Sequence, residues 1–460
     1  MRREESVLKT RAVSVFLPLM SSNRVIFVVV CILIIALLID TSLARISNFT
    51  SSREQGSLLI STFAIIAITF IAGQYIILGF TNKWIKDNNS KRILSKTIHK
   101  VIRILHYSIS ALLIIIIFEI LLYSLYDTII LTTITNISYG LTIITLGLLS
   151  QFFFSWFRSN RCYVVLLYAL SSAVFVVSAI FSLVFVYNVM LGISNVIQFH
   201  YANLTYFDNP GSVSFYVYNG YVLSSIFSFI LTWISTSMLV YHYSKRIGNV
   251  KYWIVISLPL VYFLSQFITL FLNSFNLVIE QSPIFFGVLL SVIFPISKAA
   301  GGILFGIAFW TIFKTIKKPN IVREYLLITA VGYTLLFVSD QAIALTSTPY
   351  PPFGLTSVST VGLSSYLILV GLYYSAISIS DDAKLRQTIR KLAISESKLL
   401  DSIGSAQMEQ EIQKRVIILT KQTQCRIKEE TGIQSSLTEE DMKLYLEEVI
   451  NEVKKASLHK

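Results

Sequence analysis

Three ionisable side chains, Glu119, Lys298 and Asp340, each lie within a run of otherwise apolar residues long enough to cross a bilayer. A charge near the centre of such a span costs at least about 2.5 to 3.5 kcal/mol on insertion scales, so each calls for a partner or a hydrated cavity. Residue counting places Lys298 deepest, near the middle of its span, with Glu119 and Asp340 in the outer parts of theirs. The flexible lysine stem reaches far enough to pair with either carboxylate, and Gln266 and Gln74 could add hydrogen bonds to the cluster. Such a cluster suits a proton, ion or ligand site, and it equally suits an interhelical pair that fixes packing. The segment Pro295-Ile296-Ser297-Lys298-Ala299-Ala300-Gly301-Gly302 predicts a kink or break beside the lysine. Broken helices line many transport sites, but Gly302 and Gly306 also have the spacing that lets two helices pack closely, and packing is the preferred reading.

The elements that must position these groups follow from composition. The chain of 460 residues is 54% hydrophobic and 14% charged, whereas a soluble chain is about a quarter charged. That argues against a soluble enzyme, a disordered regulator and a nucleic-acid-binding domain. Ten spans are predicted: Val25 to Ile39, Leu58 to Phe80, Ile104 to Tyr126, Ile129 to Phe154, Tyr163 to Val189, Val217 to Tyr241, Tyr252 to Leu272, Phe285 to Phe313, Tyr325 to Leu345 and Thr356 to Ile379. Pro259 predicts a kink in the seventh. The expected fold is therefore all-α, a polytopic membrane bundle of about ten helices over residues 25–379, preceded by a segment at 1–24 and followed by a helical tail at 380–460.

Positive charge sets sidedness. Thirty-five of the 38 Lys and Arg fall in the N-terminal segment, the tail and alternate connections; only Arg45 and Arg53 fall on the opposite side, and Lys298 is inside a span. Both termini are thus expected in the cytoplasm, with the protein multi-pass in the cell membrane. Ser42-Leu43-Ala44 has the small-x-small form of a signal-peptidase site, but retention of the first span as an anchor is favoured. On the external side, residues 190–216 carry His200, Tyr201, Tyr206, Phe207 and Asp208, read as an interfacial aromatic belt in preference to a ligand-contacting loop. Asn48 and Asn203 head glycosylation acceptor patterns, and the prolines of residues 349–354 tighten the last external connection.

On the cytoplasmic side, residues 81–103 mix seven basic residues with apolar ones, either as an amphipathic helix on anionic headgroups or as an extension of the third span. In the tail, Leu385, Ile389, Leu392, Leu399, Ile403 and Ala406 alternate by three and four, predicting a helix that pairs with something. A second helix is marked by the Thr438 cap and the face Met442, Leu446, Val449, Ile450 and Val453. The expected partners are the lipid bilayer and a cytoplasmic protein or a second copy through residues 385–453, with no nucleic acid. Cys31, Cys162 and Cys425 form no paired motif, the histidines lack ligand spacing, and no phosphate-binding Gly-rich loop occurs, so neither cofactor, metal nor enzymatic chemistry is expected.

Tyr350-Pro351-Pro352-Phe353-Gly354, Gly362-Leu363-Ser364-Ser365-Tyr366, Lys384-Leu385-Arg386 with Arg390-Lys391, and Leu399-Leu400-Asp401-Ser402-Ile403-Gly404 resemble an uncharacterised family of archaeal multi-pass membrane proteins. The resemblance implies no activity and carries over no residue roles. A membrane sensor or signalling adaptor with a cytoplasmic output tail is the first functional expectation. A secondary transporter using Glu119, Lys298, Asp340 and Gln266 is the second.

Overall fold

Apolar runs of this length satisfy their backbone hydrogen bonds internally by forming helices, and the described residues do so almost throughout. The computed structural model describes residues 23–46, 53–87, 93–191, 196–198, 213–241, 248–267, 293–316, 321–347, 350–391, 395–431 and five positions between 440 and 449. The elements in order are α1 (Asn23–Ile46), α2 (Arg53–Asp87), α3 (Ile93–Tyr123), β1 (Leu125–Asp127), α4 (Thr128–Ser159), α5 (Tyr163–Leu191), β2 (Val196–Gln198), α6 (Val213–Val240), α7 (Asn249–Ser265), α8 (Phe294–Thr315), α9 (Ile321–Ser339), α10 (Ala342–Ser347), α11 (Leu355–Asp381), α12 (Ala383–Lys391) and α13 (Ser395–Thr431).

Among the described residues nine helical segments are long and apolar enough to cross a membrane, α9 and α10 together supplying one of them. The expected span not among these nine is the seventh, which corresponds to α7, a helix of 17 residues with Pro259 in its interior; its expected continuation from 268 to 272 lies outside the described residues. Outward faces are apolar as lipid requires, with Ile35, Ile65, Phe118, Leu122, Ile144 and Leu258 all exposed. The protein is an all-α membrane bundle.

Successive helices alternate in direction. The end of α1 meets the start of α11 at Asp40, the end of α2 meets the start of α9 where Tyr325 donates to the Trp84 carbonyl at 3.1 Å, and the start of α3 meets the end of α11 at His99 and Tyr374. At one end of the bundle β1 and β2 pair antiparallel, Leu125 opposite Gln198, linking two connections. Tyr126 stacks on Tyr350 there, and burial pushes both phenols above their ordinary range.

α11 is the axis. Every residue from Leu355 to Ser380 except Tyr373 is buried, although many are Ser, Thr or Gly. Small residues let neighbouring backbones approach, and hydroxyls cross-link them. Ser138 of α4 donates to the Val358 carbonyl at 2.6 Å and accepts from the Gly362 N–H at 3.1 Å, the two groups that pair in a regular helix. Thr145 donates to Ser365 at 2.9 Å about two turns further along.

Several expectations need correction. Of the two readings of residues 81–103, the extension of the third span holds for 93–103, which begin α3, while 81–87 end α2 and Arg103 donates to Asn82 between them. The third span stops at Tyr123, because Ser124 at φ 55° turns the chain into β1. The tail pattern does not face a partner in its first half. Leu385, Ile389, Leu399, Ile403 and Ala406 are buried in the core shared with the bundle, and Gly404 packs directly on Ile379 at the end of α11. Trp156 donates to Gln407 at 3.0 Å, Ser159 to Glu409 at 2.6 Å, and Gln410 to Ser155 at 2.8 Å, fastening α13 to the end of α4. Beyond Glu411 the helix is mostly exposed. Leu392, His200, Tyr201, Tyr206, Phe207, Asp208, Asn48, Asn203 and most of the expected second tail helix lie outside the described residues. Ala44 is buried inside α1.

Candidate functional site

Among the described residues α8 begins at Phe294 with Pro295 in its first turn, where a missing N–H costs nothing, and the expected earlier part of this span, 285–292, lies outside them. Lys298 follows Pro295 by about one turn of α8. From there its ammonium uses all three donors: Ser225 Oγ of α6 at 2.8 Å, the Asp340 backbone carbonyl at 2.7 Å, and Asp340 Oδ2. The Tyr221 ring lies 5.8 Å from Nζ, within cation–π range. Asp340 is therefore the partner of Lys298, and both are buried.

A helix break lies beside the lysine on the partner's side of the pair. α9 ends at Ser339, the Gln341 N–H turns back to the Ser339 carbonyl at 2.8 Å, and the Ala344 N–H bonds Gln341 at 3.0 Å. The Asp340 carbonyl thus loses its helical donor and takes the lysine instead. Asp340 Oδ1 is buried with no hydrogen-bond partner among the described residues, and the fully buried Tyr139 of α4 sits within electrostatic range of it.

Gln266, half-buried after the end of α7, joins Lys298, Asp340, Tyr221 and Phe263 around a cavity of about 40 Å³. That volume suits a water molecule or a small ion and is far below the about 300 to 1,000 Å³ of organic-ligand pockets.

The other two expected members lie elsewhere. Glu119 is half-buried and accepts from the Asp127 N–H at 3.1 Å, steadying the turn into α4, so it does not pair with Lys298. Gln74 donates to the His106 carbonyl at 2.8 Å and to Ser110 at 3.1 Å. Gly302 and Gly306 do pack closely: a Cβ at Gly302 would lie 2.8 Å from the Thr334 carbonyl, and one at Gly306 would overlap Thr334 Oγ1.

The buried Asp40 was not anticipated. Asp40 of α1 caps α11, accepting from the N–H groups of Gly354 at 3.0 Å and Ser357 at 3.1 Å, from the Ser357 hydroxyl at 2.9 Å, and from Thr356. Gly354, at φ 89° and pressed against Leu345, has no side chain with which to cap its own helix.

Comparison of the chain with protein-family models, with curated proteins and with solved structures gives no match. None of these comparisons supports the family resemblance expected for residues 349–404, and the functional reading rests on geometry.

Proposed function

We propose that the protein is a sensor or signalling adaptor of the cell membrane, with both chain ends on the cytoplasmic face and α13 as its output element. The sidedness rests on the Lys and Arg that flank the spans at the tail end of the bundle. The observation that carries the reading is the seating of α13. Its first half is buried on the end of the axial helix α11 and on α4, and its second half projects beyond them. A shift of α11 within the bundle therefore moves the exposed half of α13, a rigid element by which coupling travels. Asp340 lies at the far end of α9, the helix that packs along α11 with Gly332 pressed against Ile368. The ion pair is thus placed to bias the position of α11.

A second reading, secondary transport, is favoured by the unpartnered Asp340 Oδ1 and the broken helix beside it. Proteoliposomes carrying a pH-sensitive dye separate the two under an imposed proton or sodium gradient. The sensor reading expects no gradient-driven flux above empty liposomes, and Asp340→Asn alters protease cleavage at Lys414 and Arg415. Gradient-driven flux abolished by Asp340→Asn, with tail cleavage unchanged, overturns it in favour of transport.

A further inference from the structure

The junction of bundle and tail encloses a cleft of about 580 Å³, within the range of small-molecule sites. Its floor is apolar: Leu148 and Phe152 of α4, Ile98 of α3, Leu369 and Val370 of α11. Tyr373, the one residue of α11 before Asp381 that is not fully buried, lies in it, so the cleft reaches the axial helix from outside between α3 and α4. The remaining wall is the tail helix, which contributes Gln410, Glu411, Lys414 and Arg415. Glu411 is held by Gln407 Nε2 at 3.0 Å, whereas Lys414 and Arg415 are exposed and make no ion pair with another described residue.

We propose that this cleft binds an anionic phospholipid, with an acyl chain on the apolar floor and the phosphate at Lys414 and Arg415. The floor residues belong to segments apolar enough to lie in hydrocarbon, and the cationic rim belongs to a helix outside them. The cleft thus straddles the level at which a phospholipid changes from chain to headgroup. Charge selects the anionic class: each basic residue near the surface adds about fivefold to the affinity for an anionic lipid. His99, whose ring nitrogens bond the hydroxyls of Tyr366 at 2.9 Å and Tyr374 at 2.8 Å, fixes the upper wall. The inference needs only the membrane setting of the bundle and is independent of the sensor reading.

The test uses the full chain in detergent with a phosphatidylglycerol bearing a photoreactive diazirine on one acyl chain. A phosphatidylcholine carries the same group as control, and glycerol phosphate serves as soluble competitor. The expected result is labelling of peptides containing Leu148 to Phe152 and Leu369 to Tyr374, stronger with the anionic lipid and resistant to glycerol phosphate. Labelling falls roughly tenfold or more in Lys414→Ala/Arg415→Ala, whose positions are exposed, and is lost in Leu148→Trp, which fills the floor without changing charge. Thermal unfolding of both variants confirms that they fold. Equal labelling by the zwitterionic lipid, displacement by glycerol phosphate, or labelling unchanged in either variant overturns the proposal.

Discussion

Asp40 and Ser357 lie 317 residues apart in sequence, yet the carboxylate of one accepts from both the backbone N–H and the hydroxyl of the other. The first helix of the bundle thereby supplies the cap for the most deeply buried one. The positive end of the helix dipole and the capping carboxyl coincide where both are buried.

Removing that carboxylate leaves the Gly354 and Ser357 N–H groups without acceptors. Each buried unsatisfied donor costs about 1 to 3 kcal/mol, so Asp40→Ala is expected to lose at least about 2 kcal/mol of stability. Asp40→Asn keeps one acceptor oxygen and loses less. Thermal unfolding in detergent reads the difference; equal melting of the wild type and Asp40→Ala would show that the cap contributes nothing.

The Lys298–Asp340 pair behaves differently when one member or both are removed. Lys298→Met alone strands a buried carboxylate and Asp340→Leu alone strands an ammonium, each expected to cost about 3 to 5 kcal/mol. The double variant is expected to recover most of that loss, since neither charge remains buried. A double-mutant cycle measured by unfolding gives the coupling, and strict additivity of the two single losses would rule out a direct pair.

Gly306 tests the contact between α8 and α9. A methyl group there overlaps Thr334 Oγ1 and lies 2.9 Å from the Ala330 carbonyl, so Gly306→Ala is expected to force the helices apart, at about 1 to 3 kcal/mol. Thr334→Ala in the same chain removes the overlap with Oγ1 and is expected to restore part of the loss. Melting temperatures of the three variants decide it, and a Gly306→Ala chain as stable as the wild type would mean that the backbones are not in contact.

Gly404→Val places a branched side chain where Ile379 already sits, so the tail is expected to lift off while the bundle stays folded. Limited proteolysis should then cut within residues 395–415 faster, with the unfolding temperature of the membrane core unchanged. Ile379→Ala makes room and should slow cleavage again. Identical digestion of wild type and Gly404→Val would refute the docked arrangement.

The spans were legible because a 20-residue apolar run has few alternatives to a membrane helix; α11 begins at Leu355, one residue from its expected start. The pair of Lys298 with Asp340 was one of two expected options, and reach alone could not choose between Asp340 and Glu119. Asp40 escaped notice by standing one residue past the expected end of its span, where an acidic residue reads as an interfacial charge. The missing signal was on the other helix: a start at Gly354 with no capping side chain of its own. The docking of α13 was hidden because a three-four apolar pattern has the same spacing whether it packs on a partner or on its own bundle. Gly404 within that pattern marked the close approach.

The most direct test of coupling between the ion pair and the tail is a distance measured in lipid nanodiscs. Spin labels are placed on Cys425, which is exposed on α13, and on Tyr163→Cys at the start of α5, with Cys31 and Cys162 changed to Ser. Pulsed dipolar spectroscopy then compares this chain with its Asp340→Asn derivative. The account predicts that breaking the pair shifts the mean distance by about 2 Å or more, the size of helix displacements at switching interfaces. Superimposable distance distributions in the two chains would contradict it.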